Sequence, residues 1–247
     1  MVIWRSLIAS SLISLMIIGC SETANYSSEN AKQIIQESNV NQLITEVQDS
    51  QKAETLLIQA NGLLDAHSYQ EALVLYNRVI AIKTDSAETW VNRGNALIGL
   101  QQYPEAVESY DKAIAIRPNK DEAWYNRGNA LTALQHYEEA VRSYDEAIAI
   151  DHNKHEAWIN RGIALTKLQR YKEALASYNQ ATTIRPNLHQ VYYNKACNYA
   201  LQNNLELTIE NLKKAIEILP KKYQDLAKTD PDFDKVRNEK RFQDLLQ

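Results

Sequence analysis

The sequence predicts an all-α protein in which five similar helix pairs follow one another along the chain. Tryptophan recurs every 34 residues, at Trp90, Trp124 and Trp158. Small residues and tyrosine recur at fixed distances after each tryptophan. The 247 residues include only 6 Gly and 5 Pro, which favours long helices over turn-rich β structure. A repeat of this length is typical of a solenoid of stacked helical units.

Residues 1–19 have the features of a secretory signal peptide. Arg5 precedes an apolar run, residues 7–18, that is too short to span a bilayer comfortably. The segment ends in Ile-Ile-Gly-Cys, which resembles the lipobox of bacterial lipoproteins, in which the cysteine is lipidated and becomes the first mature residue. The resemblance implies that Cys20 carries a lipid anchor. The alternative is an ordinary secretory signal with a cysteine at its end by chance.

The residue after this cysteine indicates a location. In the sorting rule known for many Gram-negative bacteria, Asp at this position keeps a lipoprotein at the inner membrane. Ser21 therefore predicts a place in the bacterial cell envelope, at the periplasmic face of the outer membrane, if the organism follows the rule. Two or more acyl chains on one cysteine hold a protein stably at a membrane.

Residues 20–50, which begin with the lipidated cysteine, are expected to form a polar tether. The segment is rich in Ser, Asn, Gln and Glu, a composition typical of flexible chains. About 20 flexible residues would have a root-mean-square reach of roughly 25 Å. Apolar residues at helical spacing predict one short helix within the segment. They are Val40, Leu43, Ile44 and Val47.

Residues 53–222 divide into five units, and each unit is expected to form two antiparallel helices. In the third unit, Trp124, Gly128 and Leu131 form the apolar stripe of the first helix, and Tyr144 lies on that of the second. One such pair cannot bury its apolar side alone, so the units are expected to stack. The units are 53–86, 87–120, 121–154, 155–188 and 189–222.

This pattern resembles the tetratricopeptide repeat (TPR) family. The first and last units depart most from it, since Leu56 replaces Trp and Ala60 and Ala196 replace Gly. The resemblance implies a solenoid whose first helices line a concave groove that binds a protein or peptide partner. Residues 223–247 are expected to form helices that cap the end of the stack, because Phe and Leu recur there at helical spacing.

Asparagine recurs on the first helices, on the side opposite the tryptophan. With Trp124 at 0°, Asn126 lies at about 200° and Asn129 at about 140° around the helix. Stacking therefore predicts two rows of asparagines that face solvent. One row contains Asn92, Asn126, Asn160 and Asn194, and the other contains Asn61, Asn95 and Asn129.

These rows are the candidate peptide-binding site. An asparagine amide offers a donor and an acceptor, so a row of amides can pair with the backbone of an extended peptide without reading its side chains. The rows resemble the asparagine ladder in the TPR superhelix of the eukaryotic protein O-GlcNAc transferases, which holds peptide backbone. The alternative is that duplication copied an indifferent surface residue.

Glutamates are expected on the same face, Glu54 among them, and they predict a groove that favours neutral or basic ligands. Three of them are candidate groove residues. They are Glu88, Glu122 and Glu156. The carboxylate clamp of chaperone-adaptor TPR proteins is not present, because it needs Lys directly after the tryptophan position. Val91 and Tyr125 stand there instead. A row of basic residues that includes Arg127 flanks the packed stripe and is predicted to pair with acids of adjacent helices.

The sequence contains no pattern typical of an active site, a cofactor site or a metal site. His152 and His155 lie at a unit boundary, but no Cys or His cluster completes a zinc site. Cys197 is expected to be an inert small residue, with intermolecular disulfide pairing as the alternative. The net charge of −4 gives no indication of nucleic-acid binding.

The sequence therefore predicts a lipid-anchored bacterial scaffold or adaptor that binds an extended segment of a partner protein. It is not expected to be an enzyme. Two alternatives remain open: a TPR lipoprotein that assists pilus or secretin assembly, and a regulatory subunit of an envelope enzyme.

Overall fold

The structure is a computed structural model that describes the backbone of residues 22–247 and the side chains of residues 32–247. The predicted signal peptide, the predicted anchor Cys20 and Ser21 lie outside the described residues. All the described secondary structure is helical. The helices are α1 (Glu22–Asp65), α2 (Tyr69–Ile82), α3 (Ala87–Gly99), α4 (Tyr103–Ile116), α5 (Asp121–Ala133), α6 (Tyr137–Ile150), α7 (His155–Lys167), α8 (Tyr171–Ile184), α9 (His189–Leu201), α10 (Leu205–Ile218), α11 (Pro220–Thr229), the 3-10 helix η1 (Pro231–Phe233) and α12 (Lys240–Leu245).

The chain divides into two compact units, Met1–Lys52 and Ala53–Gln247, and α1 contributes residues to both. The second unit contains the helix pairs and the C-terminal helices. Within the described residues, none of the helices combines the length and the apolar character that crossing a membrane requires.

The expectation of a flexible tether at residues 20–50 is wrong from Glu22 onward, because α1 begins there and continues to Asp65. The segment lacks Gly and Pro, and its four Gln and four Glu are good helix formers. Hydrogen bonds between side chains four residues apart add support, as between Gln33 Nε2 and Glu37 Oε1 at 3.2 Å. A polar composition therefore indicates an exposed surface here, and the predicted short helix is part of a longer one.

Tight turns separate the two helices of each pair. After α5, Gln135 adopts a left-handed conformation with φ of 61°, and the N–H of His136 donates to the carbonyl of Leu131 at 2.9 Å. This geometry satisfies the last carbonyls of a helix and reverses the chain. The same conformation recurs at His67, Gln101, Gln169 and Asn203.

The two helices of a unit approach closely where glycine meets tyrosine. A Cβ atom added to Gly128 would lie 2.5 Å from Cε1 of Tyr144, whose side chain is buried. Equivalent contacts join Gly94 to Tyr110 and Gly162 to Tyr178. These glycines are therefore required by packing, as the repeat pattern predicts.

The tryptophans lie at the joints between units. Trp124 is half-buried, and its indole Nε1 donates to the carbonyl of Pro118 at 2.9 Å. It packs against a cluster that contains Ala147 of its own unit and Ala157 of the next. The indole therefore packs on two units and on the turn before them.

The C-terminal helices pack on the last helix pair. Phe233 and Phe242 are buried, with ring centroids 5.3 Å apart, in one cluster with Tyr193 and Leu212. The apolar positions of residues 223–247 therefore bury against the fifth unit.

Candidate functional site

Buried tyrosines and half-buried asparagines form hydrogen bonds within the first three units. Tyr144 of α6 donates from its hydroxyl to Oδ1 of Asn129 on α5 at 2.9 Å. The same bond joins Tyr76 to Asn61 and Tyr110 to Asn95, each at 2.8 Å. Burial raises the pKa of all three tyrosines above the ordinary value, so each hydroxyl keeps its proton and remains a donor.

A second set of hydrogen bonds joins each unit to the next. Nδ2 of Asn126 donates to Oδ1 of Asn95 at 3.0 Å, and Nδ2 of Asn160 donates to Oδ1 of Asn129 at 2.8 Å. Asn92 and Asn61 are joined in the same way at 3.1 Å. Two donors thus converge on each accepting oxygen, which fixes the orientation of its amide. We call these six residues the amide ladder and each bonded pair of asparagines a rung.

The expectation that these asparagines simply face solvent is therefore wrong. All six are half-buried, and each is bonded to its own repeat or to a neighbouring one. The angular argument treats one helix alone, whereas the side opposite the tryptophan is partly covered by the adjacent first helices. The asparagines on this side are close enough to bond to each other.

The amide ladder ends after the fourth unit. Ile163 and Cys197 stand where the next accepting asparagines would be, and no described residue forms a hydrogen bond with the side chain of Asn194. Asn198, which sequence reasoning missed, is buried and donates to Thr166 Oγ1 at 3.1 Å. Only an interruption of the apolar pattern by a polar residue could have signalled it.

Each amide of the ladder has one polar atom, either the nitrogen or the oxygen, that forms no hydrogen bond with a described residue. Among the described residues, no acceptor bonds to Nδ2 of Asn61, Asn95 or Asn129, and no donor bonds to Oδ1 of Asn92, Asn126 or Asn160. Each rung thus keeps one unused donor group and one unused acceptor. In the part of the chain that the structure describes, no buried side-chain N or O atom lacks a hydrogen-bond partner, so these unused atoms are accessible and can bond to a ligand. We call the surface formed by the six asparagines of the amide ladder the ladder face.

Two small open pockets lie beside the ladder. One has a volume of about 130 Å³ and is lined by Asn129, Thr132, Tyr144, Asn160 and Ile163. The other has a volume of about 120 Å³ and is lined by Asn95, Ile98, Tyr110, Asn126 and Asn129. Each residue of the first set lies one repeat after its counterpart in the second, so the pockets recur with the repeat.

The predicted groove glutamates lie in the first turns of α3, α5 and α7. Carboxylates there stabilise a helix because they face the positive end of its dipole. Glu122 forms an ion pair with Lys120 at 3.0 Å, and Glu156 lies 3.1 Å from Nδ1 of His155. Glu88 is exposed. These glutamates therefore stabilise the helices in which they lie, in addition to any effect that they have on a ligand.

The predicted pairing of the arginine row with acids of adjacent helices is confirmed at two positions. Arg127 contacts Asp111 at 2.7 Å and also donates to Ser143 at 2.7 Å. Arg161 repeats this arrangement with Asp145 and Ser177. Arg93 instead donates to the amide oxygen of Asn77 and to Ser109. These side chains join successive units on their second helices.

Potential metal ligands come together at one place among the described residues. Cys197, Asp230 and Asp232 bring three ligand atoms within 4.8 Å of one another. Tyr193 donates to Asp230 at 2.7 Å, and Lys167 forms an ion pair with Asp232 at 3.6 Å. Burial, together with the two carboxylates, raises the pKa of the Cys197 thiol, which disfavours the thiolate that a metal needs. The cluster is explained by the packing of η1 on α9.

Comparison with known families agrees with this architecture. Residues 94–135 match the family described as TPR repeat, and residues 121–154, 155–188 and 189–222 match families described as tetratricopeptide repeat. The chain belongs to the tetratricopeptide repeat family. No curated protein matches its sequence.

Several solved structures share the fold. YrrB, described as a TPR protein with an unusual peptide-binding site, is 26% identical, with a TM-score of 0.60 over 67% of this chain and 85% of YrrB. MamA from Desulfovibrio magneticus RS-1 is 21% identical, with a TM-score of 0.65 over 68% of this chain and 94% of MamA. Another MamA structure is 20% identical, with a TM-score of 0.63 over 66% and 95% of the two chains. The likeness to MamA shows the fold alone.

Proposed function

We propose that this protein is a non-catalytic adaptor that holds an extended segment of a partner protein along the ladder face, while a lipid on Cys20 anchors it to the cell envelope. The observation that carries the proposal is the set of unused amide atoms. The fold already uses one half of each ladder amide, which holds the other half in a fixed orientation. Folding has therefore already ordered these donors and acceptors, so ligand binding does not bear the entropic cost of ordering them.

The chemistry of the face suits a peptide backbone. An extended chain has unpaired N–H and C=O groups, and each rung offers one partner for each kind of group. The likeness to YrrB, which has a peptide-binding site, supports the same class of ligand. The exposed carboxylate of Glu88 and the partly paired ones of Glu122 and Glu156 favour segments that are neutral or basic.

Crosslinking in living cells tests the binding face. A photoreactive residue at Ile98, which lines one pocket, should capture a partner, whereas the same residue at exposed Lys112 on α4 should not. Asn129→Asp should reduce the capture, because it keeps the accepting oxygen of the ladder and removes the unused donor. Equal capture from both positions, or capture unchanged by Asn129→Asp, would place the partner elsewhere.

The anchor is tested separately. The Ile-Ile-Gly-Cys ending supports lipidation of Cys20, and Ser21 supports the outer membrane. Cys20→Ala should release the protein from the membrane fraction or leave it as a precursor of larger mass. A Cys20→Ala variant with the mass and fractionation of the parent protein would contradict the anchor without affecting the proposal for the ladder face.

A further inference from the structure

The spacing of the rungs specifies the conformation of the ligand; this inference rests on the proposed function. The rungs are formed by consecutive first helices, α1, α3, α5 and α7, whose asparagines touch through hydrogen bonds of 2.8–3.1 Å. Helices in direct contact lie about 8–10 Å apart. Because the rung atoms occupy equivalent positions one repeat apart, the unused donors and acceptors also recur about every 8–10 Å.

A β-strand does not fit this spacing. A strand rises about 3.3 Å per residue and returns the same backbone groups to one side every two residues, or about 6.6 Å. The two-residue repeat of a strand is therefore shorter than the spacing between rungs by about 1.4–3.4 Å. Over three rungs the error would accumulate to about 3–7 Å, which is longer than a hydrogen bond. At most one or two rungs could pair with a strand.

A polyproline II helix fits the spacing. It rises about 3.1 Å per residue with three residues per turn, so equivalent groups recur every 9.3 Å or so. This distance lies within the range expected for the rungs. The conformation forms no internal hydrogen bonds, and its N–H and C=O groups are therefore free to pair with the amides.

The pockets support the same register. The two pockets, of about 130 and 120 Å³, are separated by one repeat and lined by equivalent positions. A chain with three residues per repeat would present a side chain to each pocket from residues i and i+3. Each pocket has room for several water molecules, because one water in the liquid occupies about 30 Å³, and therefore also for a ligand side chain.

We propose that the ladder face binds its partner as a polyproline II segment, with three residues for each repeat. Three rungs span two repeat intervals, so the segment needs at least about seven residues. Proline favours this conformation but has no N–H. The segment should therefore have a residue other than proline at every third position, where an N–H pairs with the unused Asn126 or Asn160 oxygen.

Binding of labelled peptides to the full-length protein tests this register. The first peptide has four Pro-Pro-Ala triplets, the second replaces each Ala by N-methylalanine, and the third is a 12-residue alternation of Thr and Val that favours a strand. Fluorescence anisotropy should show that the first peptide binds most tightly. The N-methyl peptide should bind more weakly by about 2- to 12-fold for each hydrogen bond lost. The Thr-Val peptide should bind at least about tenfold more weakly.

Variants of the protein connect the peptide result to the ladder. Asn95→Asp combined with Asn129→Asp should weaken binding of the Pro-Pro-Ala peptide, whereas Asn194→Asp, which adds a charge outside the ladder, should not. Tighter binding of the Thr-Val peptide would overturn the polyproline register and leave the proposed function intact. Binding of none of the three peptides would also overturn it, and capture of a partner from Ile98 would then show separately whether the proposed function stands.

Discussion

The hydroxyl of Tyr144 donates a 2.9 Å hydrogen bond to Oδ1 of Asn129, and this bond joins the two helices of the third unit. The same oxygen accepts a hydrogen bond from Asn160 of the fourth unit. One amide oxygen therefore holds together a helix pair and the joint between two repeats. This arrangement explains why an asparagine persists in a helix interior, where Ala would be favoured by roughly 0.6 kcal/mol.

Removing this amide should destabilise the fold. Asn129→Ala loses two hydrogen bonds and gains helix propensity, so the free energy of unfolding should fall by about 1–2 kcal/mol. In a double-mutant cycle with Tyr144→Phe, the double variant should be destabilised by about 0.5–1.5 kcal/mol less than the sum of the two single effects. Denaturant titration measures both quantities. Additive effects would mean that the two side chains do not interact.

Two asparagines at equivalent helix positions should behave differently. The side chain of Asn160 donates to Asn129 and, at 3.2 Å, to the hydroxyl of Tyr125, whereas no described residue forms a hydrogen bond with the side chain of Asn194. Asn160→Ala should therefore be less stable than Asn194→Ala by about 1–3 kcal/mol. Thermal unfolding of the two variants gives the comparison. Equal stability would contradict the structural role of the ladder and favour a role in binding alone.

Glycine-to-alanine substitutions should have opposite effects at two positions in helices. A Cβ at Gly128 meets the buried ring of Tyr144 at 2.5 Å, so Gly128→Ala should destabilise by about 1–3 kcal/mol. Nothing lies within 4 Å of a Cβ at Gly62, where Ala should stabilise the helix by about 0.5–1 kcal/mol. Circular dichroism during denaturation distinguishes the two. A neutral Gly128→Ala would show that the helices can separate at no cost.

Much of the fold could be predicted because the residues that pack the helices recur at the same spacing in successive repeats. The spacing of Trp124, Gly128 and Tyr144 indicates the helix pair, the close approach and the stacking. The ladder could not be predicted in the same way, because each of its bonds between units joins residues 31 positions apart, such as Asn95 and Asn126. A helical angle calculated for one helix does not include the neighbour that covers it.

The N-terminal helix shows a second limit of sequence reasoning. A polar composition is shared by flexible chains and by exposed helices, so composition alone did not separate them at residues 22–52. The absence of Gly and Pro was the better signal, since a chain without them loses little by remaining helical. Val40 and Leu43 recur at helical spacing but are exposed, so their periodicity indicates a helix without indicating a buried core.

Cys197 should be unreactive in the folded protein. Burial is the main reason that the pKa of its thiol is raised, and Asp230 and Asp232 raise it further. Because the reactive form is the thiolate, raising the pKa leaves little of it until the pH rises well above the ordinary thiol range. In a Cys20→Ala variant, iodoacetamide at pH 8 should label the native protein at least about tenfold more slowly than the protein in urea. Rapid labelling of the native protein would mean that the C-terminal residues 223–247 move away from Cys197.

Asn129→Asp separates the structural role of the ladder from its proposed binding role. The aspartate keeps an oxygen that accepts from Tyr144 and Asn160, and it replaces the unused Nδ2 group by a second oxygen. The free energy of unfolding at pH 7 should therefore stay within about 0.5 kcal/mol of the parent, since no ladder bond is lost.

Binding should change in the same variant. A ligand carbonyl that accepted from Nδ2 would meet a carboxylate oxygen, which cannot donate, so affinity should fall by at least the 2- to 12-fold or so expected for one lost hydrogen bond. Asn129→Ala gives the matched comparison, since it should lower both stability and binding. If Asn129→Asp keeps the affinity of the parent for the Pro-Pro-Ala peptide, the unused half of the ladder does not contact the ligand, and the asparagines serve the fold alone.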